Sequence, residues 1–171
     1  MHLVFGIIVN VLLISLGIAA ISFAPWVPMR RKDVKRVVAL ADVKRGETFY
    51  DLGCGDGRTV FAIAKATEAN AIGVELALPL YIVCKIRALF TRSRATFLWR
   101  NMFKLNLKNA DVVFVFGMPK TLAKKFKEKV ERECKPGARI ISYVFPVEGW
   151  TPVVKDRPTD KDMTIYLYQR S

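Results

Sequence analysis

Histidine and cysteine are scarce: among 171 residues there is one histidine, His2, and three cysteines, Cys54, Cys84 and Cys134. The cysteines stand 30 and 50 residues apart with no CxxC pair, which argues against a structural zinc site or a disulfide framework. No metal site is expected. Asp, Glu, Lys and Arg are missing altogether from residues 1–28. Every charge lies beyond Pro28, where 28 Lys and Arg stand against 15 Asp and Glu, for a formal charge of +13. The chain therefore reads as two unlike parts, 1–28 and 29–171. A hydrophobic content of 52% excludes intrinsic disorder, and the charged part suffices for one ordinary core but not two. Internal repeats and low-complexity tracts are absent.

The uncharged part runs apolar over residues 3–24, with Asn10, Ser15 and Ser22 as its polar interruptions. A helix of this length spans roughly 33 Å, about one bilayer core. A cleaved signal peptide is the competing reading, since Ser22-Phe23-Ala24 has the small-x-small pattern. Against it stand the missing basic n-region, the length of the run and the proline that would follow the cut. A buried core helix fits less well, because the run has no polar face. The expectation is one transmembrane helix in residues 1–28. Arg30, Arg31, Lys32, Lys35 and Arg36 follow it, so the positive-inside bias predicts a single-pass membrane protein whose domain faces the cytoplasm, with the bilayer as a partner.

In the second part, Val34, Val37, Val38 and Ala41 recur at helical spacing, predicting an amphipathic helix over 30–41. Residues 48–52 read as a strand, followed by glycines at 53, 55 and 57 and a helix over 59–67. A second strand over 71–74 is closed by Glu75, and Pro79 opens a helix through 90. Strands follow at 95–99, 111–116 and 138–145, with a helix from Pro119 on which Leu122, Phe126 and Val130 are four apart. Runs at 151–154 and 163–168 suggest an antiparallel terminal pair. Alternating strands and helices imply an α/β fold with a mostly parallel sheet covered on both faces.

In Tyr50-Asp51-Leu52-Gly53-Cys54-Gly55-Asp56-Gly57-Arg58, glycines alternate where a strand must turn into a helix. Glycine there permits positive φ and lets a ligand touch backbone. The dinucleotide fingerprint requires a third glycine where Arg58 stands, which weakens NAD or FAD binding. A Walker loop lacks its Gly-Lys-Ser/Thr ending. Glu75, 20 residues beyond Gly55, stands where a carboxylate can accept bonds from both hydroxyls of a ribose.

The run Asp-Leu-Gly-Cys-Gly-Asp-Gly-Arg, with Glu75 and the order of elements above, resembles the class I S-adenosylmethionine-dependent methyltransferases. That resemblance implies a Rossmann-like sheet, mostly parallel with an antiparallel terminal strand. More narrowly, Pro25-Trp26-Val27-Pro28, Phe116-Gly117-Met118-Pro119, Phe145-Pro146 and Trp150-Thr151-Pro152 resemble the protein-lysine methyltransferases that include the ATP synthase c-subunit enzymes and their archaeal relatives. By position, the resemblance implies that Asp51 orients the methionine ammonium of S-adenosyl-L-methionine and that Gly53, Gly55 and Gly57 line it with backbone. It gives Glu75 the ribose and places Asn101 beside the adenine, where relatives usually have an aspartate. The partner it implies is a protein presenting a lysine, and the expected anchor points to one in or beside the same bilayer, since anchoring raises the effective concentration toward it.

Transfer from a sulfonium is a direct displacement, so positioning is the main catalytic contribution. With a solution pKa near 10.4, roughly one lysine in a few thousand is neutral at pH 7, and an apolar pocket beside a positive sulfur lowers that pKa. Phe116, Met118, Tyr143, Phe145 and Trp150 are expected around this pocket, with Trp150, Phe116 and Tyr143 as the catalytic candidates. An amino-methylating DNA enzyme would carry Asp/Asn-Pro-Pro-aromatic where Phe-Gly-Met-Pro stands. None of the cysteines has the Pro-Cys setting used against pyrimidine carbon. The positive surplus is the argument for RNA, but on the helix bearing Lys120, Lys124, Lys125, Lys127 and Lys129 it is softened by Glu128, Glu131 and Glu133, predicting a solvated face. Nucleic acid is therefore disfavoured. The alternatives are an RNA or small-molecule methyltransferase and a non-catalytic, cofactor-binding membrane scaffold.

Overall fold

Strands of this chain that are buried on both faces read as short apolar runs, and the computed structural model arranges them in one seven-stranded sheet of order β3-β2-β1-β4-β5-β7-β6. It describes residues 2–22, 26–119 and 122–171. The strands are β1 (Thr48–Leu52), β2 (Asn70–Glu75), β3 (Thr96–Trp99), β4 (Val112–Val115), β5 (Arg139–Tyr143), β6 (Val154–Asp156) and β7 (Ile165–Gln169). β1 to β5 pair in parallel, with Asp51 opposite Gly73 and Phe114 and with Glu75 opposite Trp99. β7 runs antiparallel between β5 and β6. The expected α/β architecture, mostly parallel with an antiparallel terminal pair, is what the chain forms.

Around the sheet lie helices α1 (His2–Ser22), α2 (Arg31–Ala41), α3 (Arg58–Ala66), α4 (Leu78–Thr91) and α5 (Lys127–Glu133). A 3₁₀ turn at Met102–Lys104 and a π turn at Leu122–Phe126 complete them. Alternation along each strand divides the core. Phe49, Phe114 and Ile141 pack with Val37, Val60 and Ile63 under α2 and α3, while Leu52, Val113 and Ile140 pack with Leu107, Phe126 and Val130 on the opposite face. Each such side chain, fully removed from water, contributes about 1.5–3 kcal/mol. Pro119 is helical, as expected, residues 120 and 121 lie outside the described residues, and beyond them come the π turn and α5. Lys129 departs from the solvated face expected for it. It is buried, and its ammonium donates to the carbonyl of Leu105 and, at 2.6 Å, to Glu133.

The transmembrane helix is corrected. The apolar segment is helical as α1, but among the described residues no helix is long and apolar enough to cross a membrane. Rather than standing clear of the domain, α1 lies against α4, and the Ser15 hydroxyl accepts a hydrogen bond from the Leu78 backbone N–H at 2.8 Å. With the span goes the single-pass, cytoplasm-facing localisation inferred from it. Phe23, Ala24 and Pro25 lie outside the described residues, and with them part of the cleavage-like pattern and the first residue of the Pro-Trp-Val-Pro motif.

Candidate cofactor site

β1 delivers Asp51 to the carboxyl end of the parallel strands, and the chain then reverses through the glycine turn into α3. The Gly53 and Cys54 N–H groups both donate to Val74 O at 2.9 and 3.0 Å, stitching the turn to β2. Gly55 and Gly57 hold φ of +56° and +73°, a region costly for side chains bearing Cβ. A neighbouring ring would also have to shift to make room for one. A Cβ on Gly57 would lie 2.6 Å from Phe97 Cε1, and one on Gly55 would lie 2.5 Å from the Trp26 indole.

Glu75 ends β2 and braces this turn. Its Oε2 accepts from Gly55 N–H at 2.7 Å, and its Oε1 from the Leu76 and Ala77 N–H groups at 2.8 Å each. Burial raises its pKa, and the three backbone donors only partly offset that. A carboxylate offers about four lone-pair sites, so Glu75 shapes the loop while retaining limited capacity for a sugar hydroxyl.

Asp51 is buried, and its Oδ2 has no hydrogen-bond partner. Burial, then the charges of Glu75 and Asp56, push its carboxyl well above the usual range. A buried acceptor without a donor is costly, and the donor it calls for is a cation. The ammonium of S-adenosylmethionine supplies one, so this residue set fits the cofactor. Asn101 caps the turn that follows β3, its Oδ1 accepting from Phe103 N–H at 2.9 Å, which engages one of the amide's hydrogen-bonding positions.

The aromatic candidates separate. Phe116 meets the edge of Tyr143 at 4.9 Å between centroids and lines a small cavity with Asp51, Gly53 and Gly55. Tyr143 donates its hydroxyl to Asp33 Oδ2 of α2 at 2.7 Å, and burial, followed by the Asp33 carboxylate, pushes its phenol up to about 12. It anchors α2. Trp150 lies elsewhere. After β5 the chain doubles back across the sheet, setting Trp150 against Tyr168 at 5.5 Å, with its Nε1 donating to Glu131 Oε1 at 2.9 Å. Its neighbours Gln169 and Arg170 lie by the start of β5, where Gln169 pairs with Arg139. Met118 is exposed, and Phe145 packs on the α5 side of the sheet. The structure thus gathers Asp51, Gly53, Gly55 and Phe116, links Gly57 and Glu75 through the loop, sets Tyr143 beside Phe116 and leaves Trp150 apart.

Comparison with known proteins decides the family. The ANTKMT methyltransferase domain profile matches residues 51–154. A protein-lysine N-methyltransferase of Saccharolobus islandicus is 33% identical over 153 residues, covering 86% of this chain and 94% of that protein. The chain belongs to the ANTKMT methyltransferase family.

The human lysine N-methyltransferase of the ATP synthase c-subunit is also 33% identical, over 86% of this chain, though the chain spans 62% of that protein's length. Among solved structures, an RNA methyltransferase from Salinibacter ruber in complex with S-adenosyl-L-homocysteine superposes with a TM-score of 0.79 at 26% identity, covering 84% of this chain and 93% of the other. This chain is accordingly an S-adenosylmethionine-dependent methyltransferase, and S-adenosylmethionine is its cofactor.

Within the methyltransferase, two features of the site are not legible in the sequence. Arg58, an obstacle to dinucleotide packing by its position, turns outward. Its Nη2 meets Asp56 Oδ2 at 2.6 Å, and its Nη1 donates to the Met29 carbonyl. This pins the strap of residues 26–30 to the glycine loop, so that Trp26 and Met29 wall the same cavity as Asp51. The Pro-Trp-Val-Pro motif is the available signal, but nothing local in it says which loop it touches.

Proposed function

We propose that this methyltransferase methylates the ε-amine of a lysine in another protein. The observation that carries the reading is the near full-length similarity to the archaeal protein-lysine enzyme. In the proposed site, Asp51 receives the methionine ammonium, the backbone of Gly53, Gly55 and Gly57 follows the cofactor, Glu75 takes a ribose hydroxyl and Asn101 the adenine edge. The cofactor supplies an electrophilic methyl group on a sulfonium. Phe116 and Tyr143 form an apolar wall at the same end of the sheet, where desolvation favours the neutral amine. Trp150 is left out of this assignment, because its indole is engaged near the opposite ends of the strands.

We further propose that the acceptor protein is membrane-associated. Exposed apolar side chains on α1 and α4, among them Phe5, Leu13, Leu89 and Phe90, support that finer reading. RNA is the second reading, favoured by the positive surplus and by the likeness to the Salinibacter RNA methyltransferase. Methyl-labelled cofactor incubated with the enzyme and with separated membrane and soluble extracts tests both. Label is expected in methyl-lysine of a membrane-fraction protein, resistant to ribonuclease. Label confined to RNA would overturn the acceptor assignment. No label, with the cofactor bound, would leave a scaffold.

A further inference from the structure

The strap before α2 carries a residue that methyl transfer leaves unused. Trp26 keeps half its surface in solvent, yet its indole rests on the α-carbon of Gly55, where a Cβ would come within 2.5 Å of Nε1 and 2.6 Å of Cδ1. The ring therefore covers the Cα face of Gly55, in the loop proposed to follow the cofactor. With the ring in place, the cavity bounded by Trp26, Met29, Asp51, Gly53, Gly55 and Phe116 amounts to about 40 Å³. Sites for ligands of nucleoside size run from about 300 Å³ upward. In this arrangement the cavity is smaller than a nucleoside requires.

The strap's other end is fixed. Met29 is buried, its carbonyl accepts from Arg58 Nη1, and Arg58 is itself held by Asp56 at 2.9 Å through Nε. A half-exposed ring three residues from a fixed point can swing aside without unfolding α2 or the loop. We propose that Trp26 gates the cofactor site: its indole packs on Gly55 and is displaced about Met29 as the nucleoside binds. This rests on the assignment of the glycine loop to the cofactor. Only molecules with the ring displaced can bind, so the apparent Kd exceeds the intrinsic value by the inverse of their fraction. Removing the ring strengthens binding and abolishes a slow step.

The test uses the full chain carrying W99F and W150F, which leaves Trp26 as the one tryptophan of three, mixed rapidly with S-adenosylhomocysteine. Trp26 emission is expected to change on binding, with a rate that levels off at high ligand because ring displacement becomes limiting. Calorimetry on Trp26→Ala should show a Kd lower by on the order of tenfold, as for a site open about a tenth of the time. Its association rate should rise linearly with ligand, and Trp26→Phe should fall between. Unchanged or weaker binding in Trp26→Ala, or Trp26 emission indifferent to ligand, overturns the gate while the cofactor site stands. Should Trp26→Ala fail to fold, the emission experiment and Trp26→Phe decide by the same criteria. A full chain that binds no S-adenosylhomocysteine overturns the site assignment, and the gate with it.

Discussion

At the scale of single residues, Asp51 sets folding against function. Its folded pKa is raised, first by burial and then by Glu75 and Asp56, so the stability associated with its protonated form is fully present below the ordinary carboxylate range. That stability is lost as pH rises through the folded value. At neutral pH the side chain weakens the fold, and Asp51→Asn should stabilise it by about 1 kcal/mol or more in urea titrations. The same substitution removes the anion proposed to face the methionine ammonium. Cofactor affinity should fall about 10- to 100-fold, the range of a hydrogen bond to a charged group. In the unsubstituted chain, affinity should rise with pH as Asp51 ionises, with proton release visible when calorimetry is repeated in buffers of different ionisation enthalpy. Binding unaffected by Asp51→Asn would remove this residue from the site. The strand, the glycine turn and the place of Glu75 at a strand end were legible because local pattern and spacing fix them, whereas the role expected of Asp51 came from the family resemblance alone. The second role of Glu75 was not, since its bonds to Gly55, Leu76 and Ala77 N–H depend on how the loop folds back. Glu75→Ala should therefore abolish methylation partly by releasing the loop, and Glu75→Gln, which keeps an acceptor, separates the two effects.

At the scale of elements, α2 is tied to the sheet through one buried carboxylate. Asp33 Oδ2 accepts from Tyr143 and from Arg30 Nε at 2.8 Å, and Oδ1 accepts from Arg36 Nη1 at 2.9 Å. Arg36 continues to Asp156 of β6 at 2.7 Å. Burial acts to raise the Asp33 pKa, but Tyr143, Arg30 and Arg36 together hold it below its ordinary value. The stabilisation is present above the unfolded carboxylate range and is lost as pH falls through the folded value, below about pH 4. Asp33→Asn should cost about 2–3 kcal/mol at pH 7, less than a fully buried pair because Arg30 and Arg36 reach solvent. The difference from the unsubstituted chain should shrink at pH 3, and an equal difference at both pH values would refute the electrostatic origin. The periodicity of Val34, Val37 and Ala41 disclosed α2, but nothing local discloses that Asp33, on a charged stretch, faces inward. A similar limit displaced β6 from the expected 151–154 to Val154–Asp156. Pro152 has no N–H to give, and pairing starts only with Val153 N–H to Leu167 O. The doubling back that carries Trp150 away from Phe116 is likewise a property of the whole sheet order.

At the scale of the molecule, the division between residues 1–28 and 29–171 becomes a statement about cooperativity. The two core clusters draw their buried residues from Met29 onward, whereas the described contacts of α1 run to α4, with Ser15 meeting the Leu78 N–H. We propose that residues 29–171 are the folding unit, with Trp26 of the preceding strap reaching its cofactor site. Among the described residues, α1 contributes the Ser15 hydrogen bond and apolar cover to a helix whose Ile82, Val83, Ile86, Leu89 and Phe90 remain exposed. Deleting residues 1–22 should then leave a single cooperative unfolding transition and change the Kd for S-adenosylhomocysteine by less than about twofold. Such a deletion uncovers more of α4, so the shortened chain should be less soluble and should bind more of an apolar fluorescent dye. Methylation of extracts distinguishes the parts further: if α1 and α4 dock the acceptor, the truncated enzyme binds cofactor normally but labels the membrane-fraction protein more slowly. A shortened chain that loses cofactor affinity would instead make α1 part of the catalytic fold, and the boundary at residue 28 would have to move.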